Sequence, residues 1–350
     1  MNNLATQHWV VDKNSEELTT NPQINEAALW ITRGEVVAFP TETVYGLGAN
    51  ALSDQAISKI YEAKGRPSDN PLIVHISNLN QLKKLVKNIP DIAQKLIDAF
   101  WPGPLTIIFE SNSVVSPIVT AGLQTVAIRM PDHPVALALI EAAEVPLAAP
   151  SANLSGKPSP TNADHVLYDL QGRIAGVLDG GATGVGLEST VIDCTCNPPM
   201  ILRPGGVTRE EIEAVIGAVT VDKALLEKDQ APKSPGMKYT HYAPKAPVVI
   251  VEGSKAFIQK LIDEERQNGK KVGILTTEER KLDYDADVIV TCGYREDLKT
   301  VAHHLYDSLR AFDDENIDMI IGESFPQTGV GEAVMNRLSK AAGGNIIKEK

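Results

Sequence analysis

Two blocks of this chain combine residue types that can do chemistry. The first is Phe39-Pro-Thr-Glu-Thr-Val-Tyr-Gly-Leu-Gly48, which continues the apolar run from Val36. The second is Lys64-Gly-Arg66, followed by Asn70-Pro-Leu-Ile-Val-His75. The first block is expected to be a buried strand, Val36 to Phe39, that breaks into a loop of hydroxyls and glycines. Hydroxyls and backbone N–H groups in glycine-containing turns suit a small zwitterion, and a Lys/Arg pair suits phosphates. Two cations one residue apart are ordinarily a solvated surface. Here they lie between a helix end and an apolar strand, at the mouth of a sheet, where phosphoryl groups are well served. The pattern points to an enzyme that handles a phosphorylated nucleotide and a small polar substrate, without a Walker loop.

Further clusters fit the same chemistry. Pro150-Ser-Ala-Asn153 leads into Ser155-Gly-Lys157 and Ser159-Pro-Thr161. Such turns are commonly plain loops, but strand, proline, Ser-x-Asn and glycine is also the order in which backbone N–H groups are offered to an anion. Gly184-Val-Gly-Leu-Glu-Ser-Thr190 and Arg203-Pro-Gly-Gly206 each place a polar or cationic residue beside glycine at a strand end. His75 occupies a strand position, where a lone histidine is more often a hydrogen-bonded core residue than a catalyst. No Ser or Cys nucleophile has a partner signature, and no H-E-x-x-H occurs. The Cys194-Thr-Cys196 pair lacks the second pair that a zinc site needs. The remaining chemistry is positioning and charge neutralisation, as expected for transfer at a nucleoside triphosphate.

The elements that must position these residues follow from periodicity and breakers. Helices are expected at 24–34, 53–63, 80–87, 92–100, 133–143, 163–170 and 209–216. Strands are expected at 35–39, 72–76, 105–110, 125–129, 147–149, 176–179, 189–193 and 200–203. Irregular strand spacing with few crossover helices implies a twisted α/β sheet of mixed direction rather than a doubly wound one. The segment 218–246 is rich in charge, breakers and tyrosines, an aromatic linker. Beyond it strands at 247–252, 271–276, 288–291 and 317–321 alternate with helices at 255–267, 298–312 and 331–342, a small Rossmann-like parallel sheet. No G-x-G-x-x-G follows its first strand, which argues against a dinucleotide there. The organisation expected is therefore a first domain at 1–217, a linker or lid at 218–246, and a second domain at 247–350.

With 350 residues there is length for two cores. Net charge is -12, with -8 before residue 245 and -4 from residue 245 onward, so strong direct nucleic-acid binding or an anionic membrane surface is not expected. Three cysteines, a polar N-terminus and the lack of a long apolar run point to a reducing cytoplasm and no membrane.

In order along residues 20 to 245, the blocks quoted above, with Trp101-Pro-Gly-Pro-Leu-Thr106, Ala127-Ile-Arg-Met-Pro131, Glu188-Ser-Thr-Val191, Ile201-Leu-Arg-Pro-Gly205 and Ser234-Pro-Gly-Met-Lys-Tyr-Thr-His-Tyr-Ala-Pro244, closely resemble the threonylcarbamoyl-AMP synthase family of YrdC-type enzymes, in its long two-domain form. The last hundred residues match only the general character of that family's C-terminal domain. The resemblance implies formation of threonylcarbamoyl-adenylate and pyrophosphate from L-threonine, bicarbonate and ATP, with Mg2+ accompanying the nucleotide. The product would pass to a tRNA threonylcarbamoyl transferase complex. By the same resemblance Lys64, Arg66, Ser151 and Asn153 would hold phosphates and adenylate. Thr43, His75, Arg129 and Ser189 would bind threonine. Arg66, Asn70, Thr125, Ser151, Ser159 and Arg203 would contact ATP, with Tyr239 or Tyr242 covering it, and no protein-bound metal is implied.

Two other readings stay open. YrdC-type folds resemble double-stranded RNA binders, against which the net charge counts. YrdC-like domains also occur in carbamoyl transferases of hydrogenase maturation, whose cysteine-rich zinc modules three cysteines cannot supply.

Overall fold

The computed structural model describes residues 5–68, 70–222 and 241–350. The chain divides into two compact units, Met1–Ser155, Pro160–Gly184 and Glu188–Lys238 in one, Gly156–Ser159, Val185–Leu187 and Tyr239–Lys350 in the other.

In the first unit, short buried strands are β1 (Gln7–Val10), β2 (Val37–Phe39), β3 (Gly46–Asn50), β4 (Ile73–His75), β5 (Leu105–Glu110), β6 (Thr125–Arg129), β7 (Leu147–Ala148), β8 (Gly176–Asp179), β9 (Thr190–Asp193), β10 (Met200–Arg203) and β11 (Thr220–Val221). They form one sheet in the order β1-β8-β2-β3-β7-β4-β6-β5-β9-β10-β11. Parallel pairs such as β4 with β6 and β5 with β9 alternate with antiparallel ones such as β5 with β6 and β9 with β10, so the sheet is mixed as expected. The helices are α1 (Pro22–Thr32), α2 (Asp54–Lys64), α3 (Leu79–Leu85), α4 (Asp91–Phe100), α5 (Pro134–Ala143), α6 (Ala163–Leu170) and α7 (Arg209–Ile216). Their starts are written in the sequence. Asn21, Ser53, Asn78, Asn162 and Thr208 each accept from a backbone N–H at a helix N-terminus, and Thr208 with Glu211 completes a capping box.

Because strand side chains alternate, each strand offers one set to each face. Ile57 and Ile60 of α2, Leu82 of α3, Leu96 of α4, Val166 of α6 and Ile212 of α7 pack with Val74, Ile107, Val126, Ile128 and Ile192 in the larger core. On the opposite face, Ile24, Ile31, Val135 and Leu139 of α1 and α5 cover Trp9, Phe39 and Leu178. That second cover involves β1, β2, β7 and β8. Over β4, β6, β5, β9 and β10 the same face carries only a small apolar floor of Ile73, Ile108, Ala127, Val191 and Leu202.

The segment expected as a glycine loop after Phe39 contains a strand instead. β3 pairs antiparallel with β2, Phe39 opposite Gly46 and Val37 opposite Gly48. Its glycines are a packing requirement: a Cβ on Gly48 would sit 2.7 Å from the Phe39 ring. Low β-propensity hid this strand from a reading based on residue type, and tertiary pairing overrides that propensity. β1 and β11 were also not expected; both are short edge strands held by parallel pairing.

The second unit holds β12 (Val248–Glu252), α8 (Lys255–Gln267), β13 (Val272–Thr276), β14 (Val288–Thr291), α9 (Leu298–Ala311), β15 (Met319–Glu323), α10 (Val330–Ala341) and β16 (Ile346–Lys348). Its five strands run parallel in the order β14-β13-β15-β12-β16, a Rossmann-like arrangement. β15 is shifted two residues from the expected 317–321 and runs on to Glu323. There the buried carboxylate accepts from Thr276, Arg280 and Arg295, each at 2.6 Å. β16 lies outside the expected elements.

Gly48→Ala drives a methyl group into the buried Phe39 ring. It is expected to lower stability by about 1–3 kcal/mol in urea unfolding. An unchanged midpoint would show that the ring yields freely.

Candidate functional site

Strand register turns scattered sequence positions into a row. His75 on β4 pairs with Arg129 on β6. Ile107 pairs with Ile128, which puts Thr106 of β5 beside Arg129. Thr106 in turn pairs with Val191, and Val191 with Arg203. Side chains at paired positions share a face, so His75, Arg129, Thr106 and Arg203 border the apolar floor just described. Thr125 lies on the same face of β6 as Arg129, four residues away, or about 13 Å along the strand.

Arg129 is buried, with its side chain 4% exposed. Its Nε donates to Gly103 O at 3.2 Å and its Nη1 to Thr43 Oγ1 at 2.8 Å. Its Nη2 lies 2.5 Å from Glu42 Oε1. The Pro-Gly-Pro turn before β5 and the Thr41–Tyr45 loop thus meet on one guanidinium. The loop is braced from within by Thr41 Oγ1, which lies 2.8 Å from Thr43 Oγ1 and donates to Val44 O at 2.7 Å. His75 is buried beside Arg129, its ring edge-on to Phe39 with centroids 6.0 Å apart. Burial, reinforced by the Arg129 charge, lowers its pKa to about 3, so the ring is neutral.

Ser189, next to β9, forms a second knot. Its Oγ lies 2.8 Å from Thr106 Oγ1 and accepts from Arg203 Nη2 at 3.2 Å, while Arg203 Nε donates to Ser189 O at 3.1 Å. Gly205 permits this closeness. A Cβ there would fall 2.3 Å from Glu188 O and from Thr190 N.

A third group gathers near the N-terminal ends of β4 and β6. Lys64 ends α2, and Gly65 in the left-handed region turns the chain out of the helix. The Lys64 amine donates to Ser151 O and, at 2.7 Å, to Asn153 O. It therefore holds the Ser-x-Asn loop from inside. Burial lowers its pKa to about 7, with Arg66 adding to the effect. Arg66 and Gly65 line a cleft of about 510 Å³ with Tyr61, Glu62 and Ile118. Asn70 is fully buried, and its carbonyl accepts from Tyr61 Oη at 3.0 Å. Ser151 forms a bridge to Gly46, and Ala152 N donates to Tyr45 O at 2.9 Å, so this loop and the Thr41–Tyr45 loop are joined.

Thr43, His75, Arg129, Ser189 and Arg203 are thus brought together along one row, and Lys64 with Ser151 and Asn153 in a second group. Thr125 stands at the other end of β6 from Arg129. Two expected positions belong to the second unit. Ser159 is fully buried there, and Tyr242 stacks on Tyr306 at 5.1 Å with Arg337 against its ring. Tyr239 and most of the 218–246 linker lie outside the described residues. Glu42 and Thr106 were not singled out in the sequence. Glu42 sits inside the quoted Thr-Glu-Thr block as the only acid among its hydroxyls, and Thr106 shares the alternation of Ile108. Among the described residues no cluster of His, Cys, Asp and Glu could hold a metal ion, and no helix is long and apolar enough to cross a membrane.

Comparison with known proteins follows the same lines. Residues 30–205 match the Sua5/YciO/YrdC family, whose description is telomere recombination, and residues 207–343 match the threonylcarbamoyl-AMP synthase C-terminal domain family. A threonylcarbamoyl-AMP synthase of Bacillus subtilis is 60% identical over 346 residues, which span 99% of this chain and all of that one. One from Pyrococcus abyssi is 50% identical over 331 residues, 93% of this chain and 96% of the other. The crystal structure of P. abyssi Sua5 complexed with L-threonine matches with a TM-score of 0.92 and 48% identity, over 99% of this chain and 100% of that chain.

The buried Lys64 amine makes stability depend on pH. With a folded-state pKa near 7 against an ordinary 10.5, the folded chain gives up the proton first. The cost of burying the charge is full below about pH 7 and fades as pH rises toward 10.5. Wild type is therefore expected to gain stability relative to Lys64→Met between about pH 7 and 10, by on the order of a few kcal/mol. Urea unfolding at both pH values measures the difference; a constant gap would mean that the amine stays protonated.

Proposed function

Because the chain belongs to the threonylcarbamoyl-AMP synthase family, in its long form with an added C-terminal domain, we propose that it joins L-threonine, bicarbonate and ATP into threonylcarbamoyl-adenylate, releasing pyrophosphate. It is an enzyme of nucleotidyl transfer, and ATP with Mg2+ on its phosphates is the nucleotide substrate. The product serves threonylcarbamoyl-adenosine modification of tRNA, through a separate transferase complex, in the cytoplasm. Catalysis belongs to residues 1–217, with 218–246 as the covering segment and 247–350 as an attached domain.

The observation that carries this reading is the row of His75, Arg129, Ser189 and Arg203 on one face of the sheet, with Thr125 about 13 Å from Arg129 on that face. A face of that length suits an amino acid joined to a nucleotide. In the reading, the Arg129 fork takes the threonine carboxylate. Thr43 and Ser189 hydrogen-bond the remaining polar groups. A site that hydrogen-bonds the substrate hydroxyl discriminates against valine far more strongly than shape does. Lys64, Arg66, Ser151 and Asn153 hold the phosphates and adenylate, with Asn70, Thr125, Ser159, Arg203 and Tyr239 or Tyr242 completing the nucleotide contacts. Little covalent chemistry falls to the protein. It aligns a carbamate oxygen with the α-phosphorus and neutralises the charge that develops. The threonine-bound P. abyssi relative supports the amino-acid half of this assignment.

Lys64→Ala and Arg66→Ala are each expected to lower adenylate formation by at least about 10²-fold with the fold retained. The assay is pyrophosphate release from ATP that depends on both threonine and bicarbonate. Wild-type rates in either variant would refute the phosphate assignment, and no such release from wild type would refute the reaction.

A further inference from the structure

The Thr41–Tyr45 loop carries one acid, Glu42, whose side chain is 12% exposed. Both of its carboxylate oxygens are buried without a hydrogen-bond partner. Oε1 lies 2.5 Å from Arg129 Nη2, yet that nitrogen also lacks a hydrogen bond, so the charges touch without bonding alignment. His133, four residues beyond Arg129, is buried with both ring nitrogens unpartnered, and Glu42 is one of the charges acting on it. Folded proteins leave few buried polar atoms in this condition, so each instance calls for an account.

A zwitterionic amino acid would satisfy the pair. Its carboxylate takes the Arg129 fork and its ammonium group meets the carboxylate of Glu42. One buried ion pair becomes two, and no charge is stranded. Resting on the reaction proposed above, the geometry points to Glu42 as a catalytic residue, the base that accepts the ammonium proton of bound threonine.

The step balances. Threonine enters with an ammonium group, whose nitrogen has no free electron pair. One proton passes to the Glu42 carboxylate, and the freed pair forms the N–C bond to bicarbonate carbon. The C–O bond to the departing hydroxide breaks, and hydroxide leaves as water with a second proton from nitrogen. The carbamate oxygen then forms a bond to the α-phosphorus, and the bond to pyrophosphate breaks. The net proton held by Glu42 returns to solvent. The groups facing Glu42 are Arg129 on β6 and His133 ahead of α5, with Lys13 acting on His133 and His75 standing beside Arg129. Burial keeps His133 and His75 neutral, at about 4 and about 3, so neither histidine adds positive charge at working pH.

Glu42→Gln preserves size and removes the base. Near pH 7 its kcat for pyrophosphate release is expected to fall about 10²–10⁴-fold, while threonine affinity by calorimetry weakens far less. The deficit should narrow as pH rises past the pKa of threonine's own ammonium group, which its free carboxylate holds above the roughly 8 of a chain terminus, where threonine sheds its proton unaided. A deficit of constant size across pH would make Glu42 a mere support for Arg129 and overturn the proposal, as would full activity in the variant. If the variant does not fold, wild type and Glu42→Asp carry the test. Relative to wild type, Glu42→Asp should show a kcat deficit that narrows as pH rises, and a deficit of constant size overturns the assignment. Wild type lacking threonine- and bicarbonate-dependent release would instead sink the reaction, and this step with it, whatever the variants do.

Discussion

Arg129 brings a permanent charge into the interior of the first unit, and much of the surrounding chain is arranged to meet it. A buried guanidinium left unmatched costs several kcal/mol. Gly103 O, Thr43 Oγ1 and the Glu42 carboxylate therefore have to come to it from two remote segments. The Thr41–Tyr45 loop cannot be placed elsewhere without stranding that charge. Through Ala152 N and Tyr45 O the constraint reaches the Ser-x-Asn loop, which Lys64 holds from the other side. One basic side chain thus organises the Thr41–Tyr45 loop, and a second organises the Ser-x-Asn loop.

The sheet supplies the frame for both. Its helices cover one face completely, and α1 and α5 cover the other only toward β1, β2, β7 and β8. What remains over β4, β6, β5, β9 and β10 is a floor of small and branched apolar side chains bordered by polar ones. Such a floor excludes water while its border orients a ligand, the usual composition of a small-molecule site. Mixed strand direction matters here, because antiparallel β5 and β6 bring the turn after Trp101 next to the end of β6, where Arg129 emerges.

Low dielectric changes the character of the titratable groups. His75 and His133 lose their charge to burial, which leaves Arg129 and Glu42 as the charges at that end of the row. Burial lowers the Lys64 pKa to about 7, so its amine is only part charged near neutral pH, and a phosphate beside it would favour the charged form.

Much of this is legible in the chain's local patterns. Caps at Ser53, Asn78, Asn162 and Thr208 and the alternation in β4, β5 and β6 are local signals, carried by residues adjacent in the chain. The motif blocks mark Lys64, Arg66, Arg129, Ser151, Ser189 and Arg203 as a set through the family they resemble, and hydroxyls, cations and glycines are residue types that anion and amino-acid sites use. The glycines of β3 mislead, since their strand is set by pairing with β2 and β7 and the Phe39 ring lies across them. Glu42 goes unnoticed for the same kind of reason: its significance comes from Arg129, far along the chain. Residue types and short spacings determined which chemistry was possible and where the elements begin. Register across the sheet decided which side chains meet, because strand pairing and the burial of a charge are long-range events that no local pattern contains.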